Sequence, residues 1–184
     1  SFCRQDKFYD FPEITEKPYF PSDLPRWPEN LRIIDCGAYS GDTILSALDN
    51  KYQIESCFCF EPDPENFSKL VQTLKMISNS SCWPCGVFSS NKTLKFSSGG
   101  DTGSAISNEG DISIQCVALD DVIPNCSPNF IKFDIEGSEQ AALKGAKNLI
   151  REYRPMMAIS VYHLSTDIWK IPLYIHSIIG PRVK

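Results

Sequence analysis

The sequence predicts an α/β fold in which helices flank a mostly parallel sheet, and three observations lead to that prediction. From Leu31 onward, short apolar runs alternate with segments of helical periodicity, as they do in successive βαβ units. Several of these runs end in an acid that precedes a turn. The length of 184 residues suits one domain with a single hydrophobic core and is short for two.

Composition narrows the class of protein. Hydrophobic residues make up 42% of the chain and charged residues 22%, and no window is apolar over a membrane-spanning length, so we expect a soluble chain with no membrane partner. The net charge of -5, without a basic stripe, argues against nucleic-acid binding. No signal peptide opens the sequence, so we expect a cytoplasmic location and reduced thiols. The oligomeric state is not predicted.

The N-terminal segment, residues 1–30, differs from the rest of the chain. It is rich in Pro and aromatic residues and has no sustained periodicity. Proline at that density restricts the backbone and blocks long helices. We therefore expect an irregular segment that packs on the core formed by residues 31–184.

The first part of that core contains two predicted βα units. Residues 31–35 form an apolar strand, followed by a glycine-containing turn and a helix over 42–50. Residues 56–61 form the second strand. A helix then begins with Asp63 as its N-cap and Pro64 at its first position, because apolar residues recur after them at helical spacing.

The middle of the chain predicts shorter strands. Residues 82–88 and 93–96 surround a polar turn, and residues 112–119 alternate between apolar and polar side chains. We expect a small β insertion around residues 90–117. The Gly- and Ser-rich loop at 97–104 is a candidate lid or ligand loop.

The last part of the chain repeats the βα alternation. Residues 130–134 form a strand, and residues 138–150 carry one apolar helical stripe. A further strand over 156–162 precedes a helix over 167–179, in which Pro172 marks a kink or an early boundary.

A turn with two glycines follows the first strand and indicates a ligand site. Asp35 ends the strand, Gly37 and Gly41 follow, and a helix begins next, which is where open α/β sheets bind ligands beyond the strands' carboxyl ends. Glu61 ends the second strand about 20 residues farther on, and a carboxylate there can accept hydrogen bonds from ribose hydroxyls. Together these residues predict a nucleoside pocket.

The spacing of this turn separates two nucleoside ligands. A dinucleotide-binding turn is G-x-G-x-x-G, which places a helix N-terminus against a pyrophosphate, whereas this turn is D-x-G-x-x-x-G. S-adenosylmethionine has no phosphate and carries an ammonium and a sulfonium, so an acid at this turn is electrostatically suitable. The sequence therefore favours methyl transfer over NAD chemistry.

The stretch FDIEGSE contains two further candidate residues. Helix capping and the helix dipole account for Ser138 as an N-cap and for Glu139 in the first turn. Asp134 and Glu136 have no such structural need, so we regard them as functional. Either could orient the acceptor, bind the cofactor's ammonium or help to hold a divalent metal, and no metal is assigned.

His163, at the end of the predicted fifth strand, is one of only two histidines in the chain. It could take a proton from an acceptor hydroxyl during methyl transfer, or it could be a hydrogen-bonded residue of the pocket wall. His176, in the last helix, is expected to be structural or exposed.

Five blocks of the sequence resemble successive motifs of FkbM-type methyltransferases, a class I family that depends on S-adenosylmethionine. The blocks are IIDCGAYSGDTI, CFEPDPENF, ALDDVI, FIKFDIEGSEQAALKGA and VYHLSTDIWKIPLYI. The resemblance, from about Tyr19 to Ile175, implies a Rossmann-like sheet, S-adenosylmethionine as methyl donor and S-adenosylhomocysteine as product. It also implies in-line O-methylation of a sugar, glycan or natural-product hydroxyl. Residues 31–184 would then be the methyltransferase domain, which we expect to be truncated and to lack the family's C-terminal antiparallel hairpin.

The resemblance also assigns site residues by position. Nine positions correspond to cofactor contacts: Asp35, Gly37, Ala38 and Gly41 at the methionine part, Glu61 at the ribose, Pro62 and Asp63 beside the adenine, and Cys85 and Gly86 at its far edge. Asp134 and Glu136 would lie near the transferred methyl group. With His163, these two acids are the catalytic candidates.

Two other classes of function remain open. One is a noncatalytic nucleoside-binding or scaffold domain of the same fold. The other is a zinc or redox protein that uses Cys82 and Cys85 of the CWPC motif, with Cys57 and Cys59 as further thiolates. A thioredoxin-like dithiol needs a helix after the motif, but here a strand and a turn follow, so we expect Cys85 in the pocket wall and Cys82 in the core.

Overall fold

The computed structural model describes residues 19–20, 27–97, 105–106 and 112–180. Nine strands and six helices lie in these ranges. In chain order they are β1 (Asn30–Cys36), α1 (Asp42–Asp49), β2 (Gln53–Phe60), α2 (Pro64–Leu74), β3 (Ser80–Trp83), β4 (Gly86–Val87), β5 (Lys92–Ser97), β6 (Ala105–Ile106), β7 (Ile112–Val117), α3 (Leu119–Val122), β8 (Phe130–Phe133), α4 (Glu139–Gly145), α5 (Lys147–Tyr153), β9 (Met156–Ile159) and α6 (Asp167–Ile179).

The core is a five-stranded sheet in the order β3-β2-β1-β8-β9, and all of its neighbouring strands are parallel. The chain moves outward from β1 to β2 and β3 on one side, and from β8 to β9 on the other. The order therefore reverses between β1 and β8, and the carboxyl ends of these two strands flank a crevice of the kind in which open α/β sheets bind ligands. The predicted α/β, Rossmann-like fold class is confirmed.

Both faces of this sheet are covered, which explains the nearly continuous apolar character of its strands. Ile33 and Phe130 belong to a buried cluster that includes residues of α1 and α2. Ile34 and Phe133 belong to a second cluster that includes residues of α4, α5 and α6. All four side chains are fully buried, so the two strands beside the crevice are held rigidly from both sides.

A second sheet has the order β4-β7-β5-β6 among the described residues and contains the insertion predicted around residues 90–117. Strand β7 pairs with β4 in parallel and with β5 antiparallel. The single strand predicted over 82–88 is wrong, because β3 and β4 belong to different sheets. Pro84, which has no N–H for a strand ladder, lies exposed between them.

The single helix predicted over 138–150 is also wrong, because Ala146 separates α4 from α5. At the end of α4, Gly145 lies against the backbone of Phe88, which follows β4. A Cβ added to Gly145 would collide with the Phe88 carbonyl, so this close approach requires a glycine. The first turn of α5 is capped from a distance, since the Asp120 carboxylate accepts hydrogen bonds from the Asn148 and Leu149 amides at 2.9 Å. Sequence periodicity cannot detect such a remote cap.

Two helix predictions are confirmed closely. Helix α2 has Asp63 as its N-cap, whose Oδ1 accepts from the Glu65 amide at 3.0 Å and the Asn66 amide at 2.9 Å. Helix α6 has the predicted bounds and continues through Pro172, so that residue does not end it. No helix in the described residues combines the length and apolar character that crossing a bilayer requires.

The described part of the N-terminal segment packs against the sheet, although the predicted division into residues 1–30 and 31–184 stays a prediction. Phe20 is 3% exposed, and its ring centroid lies 5.0 Å from that of Trp27, 5.3 Å from that of Tyr52 and 5.4 Å from that of Phe130. The candidate lid at 97–104 lies outside the described residues except for Ser97.

Candidate active site

A cavity with an enclosed volume of about 170 Å³ lies at the carboxyl ends of β1, β2 and β8. It is formed where the strand order reverses, as the sheet topology requires. Its lining residues are Gly37, Phe60, Glu61, Pro62, Asp63, Asn66, Gly86, Val87, Ile114, Asp134, Ile135, Glu136 and Ser138. A nucleoside-sized ligand would extend from this space toward solvent, because sites for such ligands usually enclose about 300 Å³ or more.

The charged side chains that line the cavity are all acidic. Four of its lining residues are acids, namely Glu61, Asp63, Asp134 and Glu136, and the lining described here contains no Lys or Arg. Such a wall attracts a cationic ligand and repels a pyrophosphate. The lining also contains the apolar residues Phe60, Val87 and Ile114, which form an uncharged surface that suits a flat aromatic group.

Gly37 makes the turn after β1 possible. It has a φ of +78°, a backbone conformation that is costly for residues with a side chain, and an added Cβ would collide with the Asp134 carbonyl. Its amide and that of Ala38 both donate to the Phe60 carbonyl at 3.0 Å. The turn is therefore fastened to β2 on one side and pressed against the end of β8 on the other.

Glu61 fastens the same turn with its side chain. Its Oε2 accepts from the Tyr39 amide at 2.8 Å, and its Oε1 accepts from the Asp63 amide at 2.9 Å. Burial raises the pKa of Glu61, although these two backbone donors oppose the rise. Each carboxylate oxygen can accept a further hydrogen bond, so Glu61 can hold the turn and also contact a ligand.

Asp35 is buried rather than exposed to the cavity. Its side chain is 0% exposed and lies 3.2 Å from the ammonium of Lys132, which is 2% exposed and donates to the Gly37 carbonyl at 2.6 Å. Burial raises the pKa of Asp35, and the charge of Lys132 opposes this. Burial alone would lower the pKa of Lys132, but the negative charge of Asp35 raises it above its usual value. The acid expected to attract the cofactor's positive charge is thus neutralised inside the protein.

Asp134 is the acid that does face the cavity. Tyr19 donates to its Oδ2 and Tyr162 to its Oδ1, both at 3.2 Å. Burial opposes ionisation, but the hydrogen bond from Ser160, the positive charge of Lys132 and the tyrosine hydroxyls together lower the pKa of Asp134. Asp134 is therefore a stabilised carboxylate at the edge of the site.

His163 and three carboxylates form a cluster beside Asp134. The His163 Nδ1 lies 2.8 Å from Oε1 of Glu139, while Nε2 lies 3.4 Å from Oε2 of Glu136 and 3.7 Å from Oδ1 of Asp134. The imidazole is 10% exposed and Glu139 is fully buried. His163 comes after β9 in a turn and does not end the strand, because β9 stops at Ile159.

One group in this cluster satisfies a general criterion for cation binding. Among the described residues, Asp134, Glu139 and His163 place one potential ligand atom each within 4.8 Å of one another. Acidic groups often meet in this way without an ion, and Asp134 already accepts two tyrosine hydrogen bonds. We therefore assign no metal.

The structure brings most of the predicted site residues to one place. Seven of them line the cavity: Gly37, Glu61, Pro62, Asp63, Gly86, Asp134 and Glu136. Ala38 and Gly41 are buried in the same turn, where Gly41 has a φ of +90° and lies against Thr73. Cys85 belongs to the hydrophobic core, so only Gly86 of that pair reaches the cavity.

The cysteines of the CWPC motif have the properties of core residues. Cys82 and Cys85 are free thiols, and burial raises the pKa of both, that of Cys85 to about 11. The pKa of Cys59 is raised by its hydrogen bond with Cys57, which stabilises the protonated Cys59 thiol, and by burial. Thiolates are the reactive form, so these shifts disfavour the redox alternative. Within the part of the chain that the structure describes, no cysteine belongs to a group of three or more close potential metal ligands, which disfavours the zinc alternative.

Sequence reasoning missed several residues of the site. Glu139 was explained by the helix dipole, with Ser138 as the N-cap. The Ser138 side chain makes no capping hydrogen bond, and Oε1 of Glu139 lies 2.8 Å from Nδ1 of His163. Lys132 was overlooked, although a lysine within the apolar run FIKF indicates a buried partner. Asn66, Val87 and Ile114 had no signal, because their elements meet only in the folded chain.

Comparison with known proteins identifies one family and two matching chains among solved structures. The family model for the methyltransferase FkbM domain matches residues 35–179. The crystal structure of Methyltransferase FkbM from Methylobacillus flagellatus KT is 33% identical to this chain, with a TM-score of 0.72. The match covers 87% of this chain and 40% of the other, so this chain spans less than half the length of that relative. A search of the curated proteins finds no match.

Proposed function

The chain belongs to the FkbM methyltransferase family, and from that premise we propose that it is a methyltransferase that uses S-adenosylmethionine. The proposed reaction is in-line transfer of the methyl group to a hydroxyl of a sugar, glycan or other natural product. A cytoplasmic location and a small-molecule or saccharide acceptor, without nucleic acid, remain predictions of the sequence.

The observation that carries the proposal is the acidic lining of the cavity at the strand-order reversal. Four carboxylates and no described basic side chain line it, which suits a ligand with an ammonium and a sulfonium and no phosphate. The turn at Gly37 fits as well, because Gly37 lines the cavity with its backbone and has no side chain that would stand between that backbone and a ligand. The residues present are therefore compatible with S-adenosylmethionine.

Specific residues would hold each part of this cofactor. Glu61, whose two oxygens each retain acceptor capacity, would bind the ribose hydroxyls. Asp63 and Gly86 line the cavity near the apolar surface where the adenine would lie. The backbone of the Gly37 turn, with Ala38 and Gly41 shaping it and the buried Asp35–Lys132 pair behind it, would enclose the methionine part.

The chemistry requires alignment, exclusion of water and a place for one proton. When bound, S-adenosylmethionine supplies a methyl group that its sulfonium makes electrophilic. Asp134 and Glu136, at the edge of the cavity, would orient the acceptor hydroxyl. His163 would accept the proton that the hydroxyl loses; it does not itself line the cavity, but its Nε2 lies beside Asp134 and Glu136, which do.

A second cavity, of about 580 Å³, provides space for the acceptor. It shares Asp134 with the first cavity, and Tyr19, Trp27 and Tyr162 are among its other lining residues. Aromatic walls beside a carboxylate suit a molecule that has both apolar faces and hydroxyl groups, as a sugar ring does. We propose that the acceptor enters from this side and presents its hydroxyl next to Asp134.

The proposal is tested by calorimetric titration of the protein with S-adenosylhomocysteine. We expect binding to the native protein, weaker binding by about tenfold or more for Glu61→Gln, and a larger loss for Glu61→Ala, because each change removes acceptors for the ribose hydroxyls. The matched control is Glu55→Gln, an exposed glutamate that pairs with Arg32. NAD titrated in parallel is expected not to bind.

Absence of binding by the folded native protein would refute the cofactor assignment. Binding without methyl transfer to any member of a panel of sugar and natural-product hydroxyls would instead favour the noncatalytic nucleoside-binding alternative.

A further inference from the structure

Glu139 is buried in a way that helix capping does not explain. It is 0% exposed, and its Oε1 accepts from the Ile135 amide at 2.9 Å while lying 2.8 Å from Nδ1 of His163. Its Oε2 is buried and accepts no hydrogen bond from the described part of the chain. A carboxylate in such a place costs stability, so a role beyond stability is indicated.

The contact with Glu139 determines which ring nitrogen of His163 carries a proton. Oε1 of Glu139 already accepts from the Ile135 amide, so it acts as an acceptor toward Nδ1 as well, and Nδ1 is the donor. In the neutral ring the other nitrogen, Nε2, then has a free electron pair. That nitrogen is directed to Glu136 and Asp134, the two acids that also line the cavity.

We propose that Glu139 is a positioning residue that keeps the His163 proton on Nδ1, so that Nε2 is the atom that accepts the proton of the methyl acceptor. This role rests on the proposed function, whereas the position of the proton does not. The acceptor oxygen gives its hydrogen to Nε2 and uses the electron pair of the broken O–H bond to bond the methyl carbon. The bond from that carbon to sulfur breaks, and its electron pair remains on sulfur.

The groups around the His163 ring come from several parts of the fold. The charged and titratable groups that face the ring, or lie behind Asp134, are Glu139 of α4, Asp134 and Glu136 of the turn after β8, Tyr162 of its own turn, and Lys132 and Tyr19. Of these groups, Glu139 lies within hydrogen-bond distance of Nδ1, at 2.8 Å, so it can fix the proton there. Lys132 is already paired with Asp35.

A purely structural role for Glu139 is the rival explanation. The Ile135–Glu139 hydrogen bond closes the turn before α4, and a neutral acceptor could close it equally well. The two roles differ in whether the negative charge matters to His163. Glu139→Gln retains an acceptor oxygen of the same shape and removes the charge, while Glu139→Leu removes both.

Nitrogen NMR of ¹⁵N-histidine-labelled protein tests the proposal without any ligand. The chain has two histidines, so His176→Gln leaves one and assigns both. Near pH 8 we expect the native His163 proton on Nδ1, and in Glu139→Leu on Nε2, which faces two acceptors. In Glu139→Gln a neutral amide oxygen is the weaker acceptor from Nδ1, so we expect part of the His163 population to carry its proton on Nε2 instead. Glu55→Gln should leave the position of the proton unchanged.

Three outcomes would overturn the proposal. A native proton on Nε2 would show that Glu139 is not the acceptor from Nδ1. An unchanged position of the His163 proton in Glu139→Gln would reduce Glu139 to a structural residue, and this variant serves alone if Glu139→Leu does not fold. Selective broadening of His163 by stoichiometric Mn²⁺ would indicate a metal ligand rather than a base. Calorimetry with S-adenosylhomocysteine on the same samples tests the proposed function separately, because failure to bind would leave the position of the proton unaffected.

Discussion

Strands β1 and β8 lie side by side, each has an acid near its carboxyl end, and each is followed by a turn that contains glycine, yet the two acids have different environments. Asp35 lies within β1 and pairs in register with Lys132, whereas Asp134 directly follows β8. The side chain of Asp35 is 0% exposed and faces Lys132, whereas that of Asp134 is 22% exposed and borders two cavities. The first acid supports the ligand turn from behind, and the second faces the proposed chemistry. A strand that ends in Asp and Gly thus indicates a site, but it does not say whether its acid serves structure or chemistry.

The largest expected effect comes from breaking the pair behind the β1 turn. Lys132→Met leaves the carboxylate of Asp35 buried without a partner, so we expect the free energy of unfolding to fall by about 3 to 5 kcal/mol in urea denaturation. Asp35→Asn combined with Lys132→Met should recover part of this loss. Lys75→Met, which changes an exposed lysine, is the control. A loss below about 1 kcal/mol for Lys132→Met would mean that the Asp35–Lys132 pair does not stabilise the turn after β1.

Substitution of one glycine in each turn tests how tightly the turns after β1 and β8 are packed. Gly37→Ala combines a left-handed backbone with a collision against the Asp134 carbonyl, so we expect a loss of about 2 to 5 kcal/mol and loss of S-adenosylhomocysteine binding. Gly137 has a φ of +90°, but an added Cβ would meet its nearest neighbours at an ordinary 3.7 Å. Gly137→Ala should therefore cost only about 1 to 2 kcal/mol, from the backbone strain alone. Equal losses in urea denaturation would contradict this difference between the turns.

The smallest effect concerns Asp134 and pH. Its pKa is lowered in the folded protein, so it contributes stability that is present above its unfolded pKa, about 3.9, and is lost as pH falls through the folded pKa. Asp134→Asn should cost about 1 kcal/mol at pH 7, and the difference from the native protein should vanish in strong acid. Urea denaturation of both proteins across this range is the measurement. A difference that persists after protonation would show that the side chain's contribution does not depend on its charge.

Much of the fold could be predicted because its signals are local. Each of these signals involves residues that are close together in the sequence. Examples are the N-cap at Asp63, the strand–glycine–helix order around Gly37 and the periodicity of α6. The predictions that failed depend on distant partners. The division between α4 and α5 involves Asp120, 28 residues before Asn148, and the division between β3 and β4 depends on which sheet each strand joins.

In the candidate site, too, the residues with local sequence signals were predicted and those that depend on distant partners were not. Glu61 and Asp134 were predicted because a carboxylate at the end of a parallel strand must lie at the ligand edge of the sheet. Glu139 was assigned to capping because, in the sequence, it is only an acid at the start of a helix. Its contact with His163, 24 residues away, exists because α4 packs next to the turn after β9.

The sequence by itself therefore determined the parallel α/β architecture, the edge at which the cavity lies and the acids available there, since the alternation of strands and helices and the local turn chemistry place them. Only the tertiary structure decided how those acids differ. Burial and neighbouring charges set the cost of ionisation, and both depend on side chains from other elements: Lys132 beside Asp35, Tyr19 and Tyr162 beside Asp134, and Glu139 beside His163.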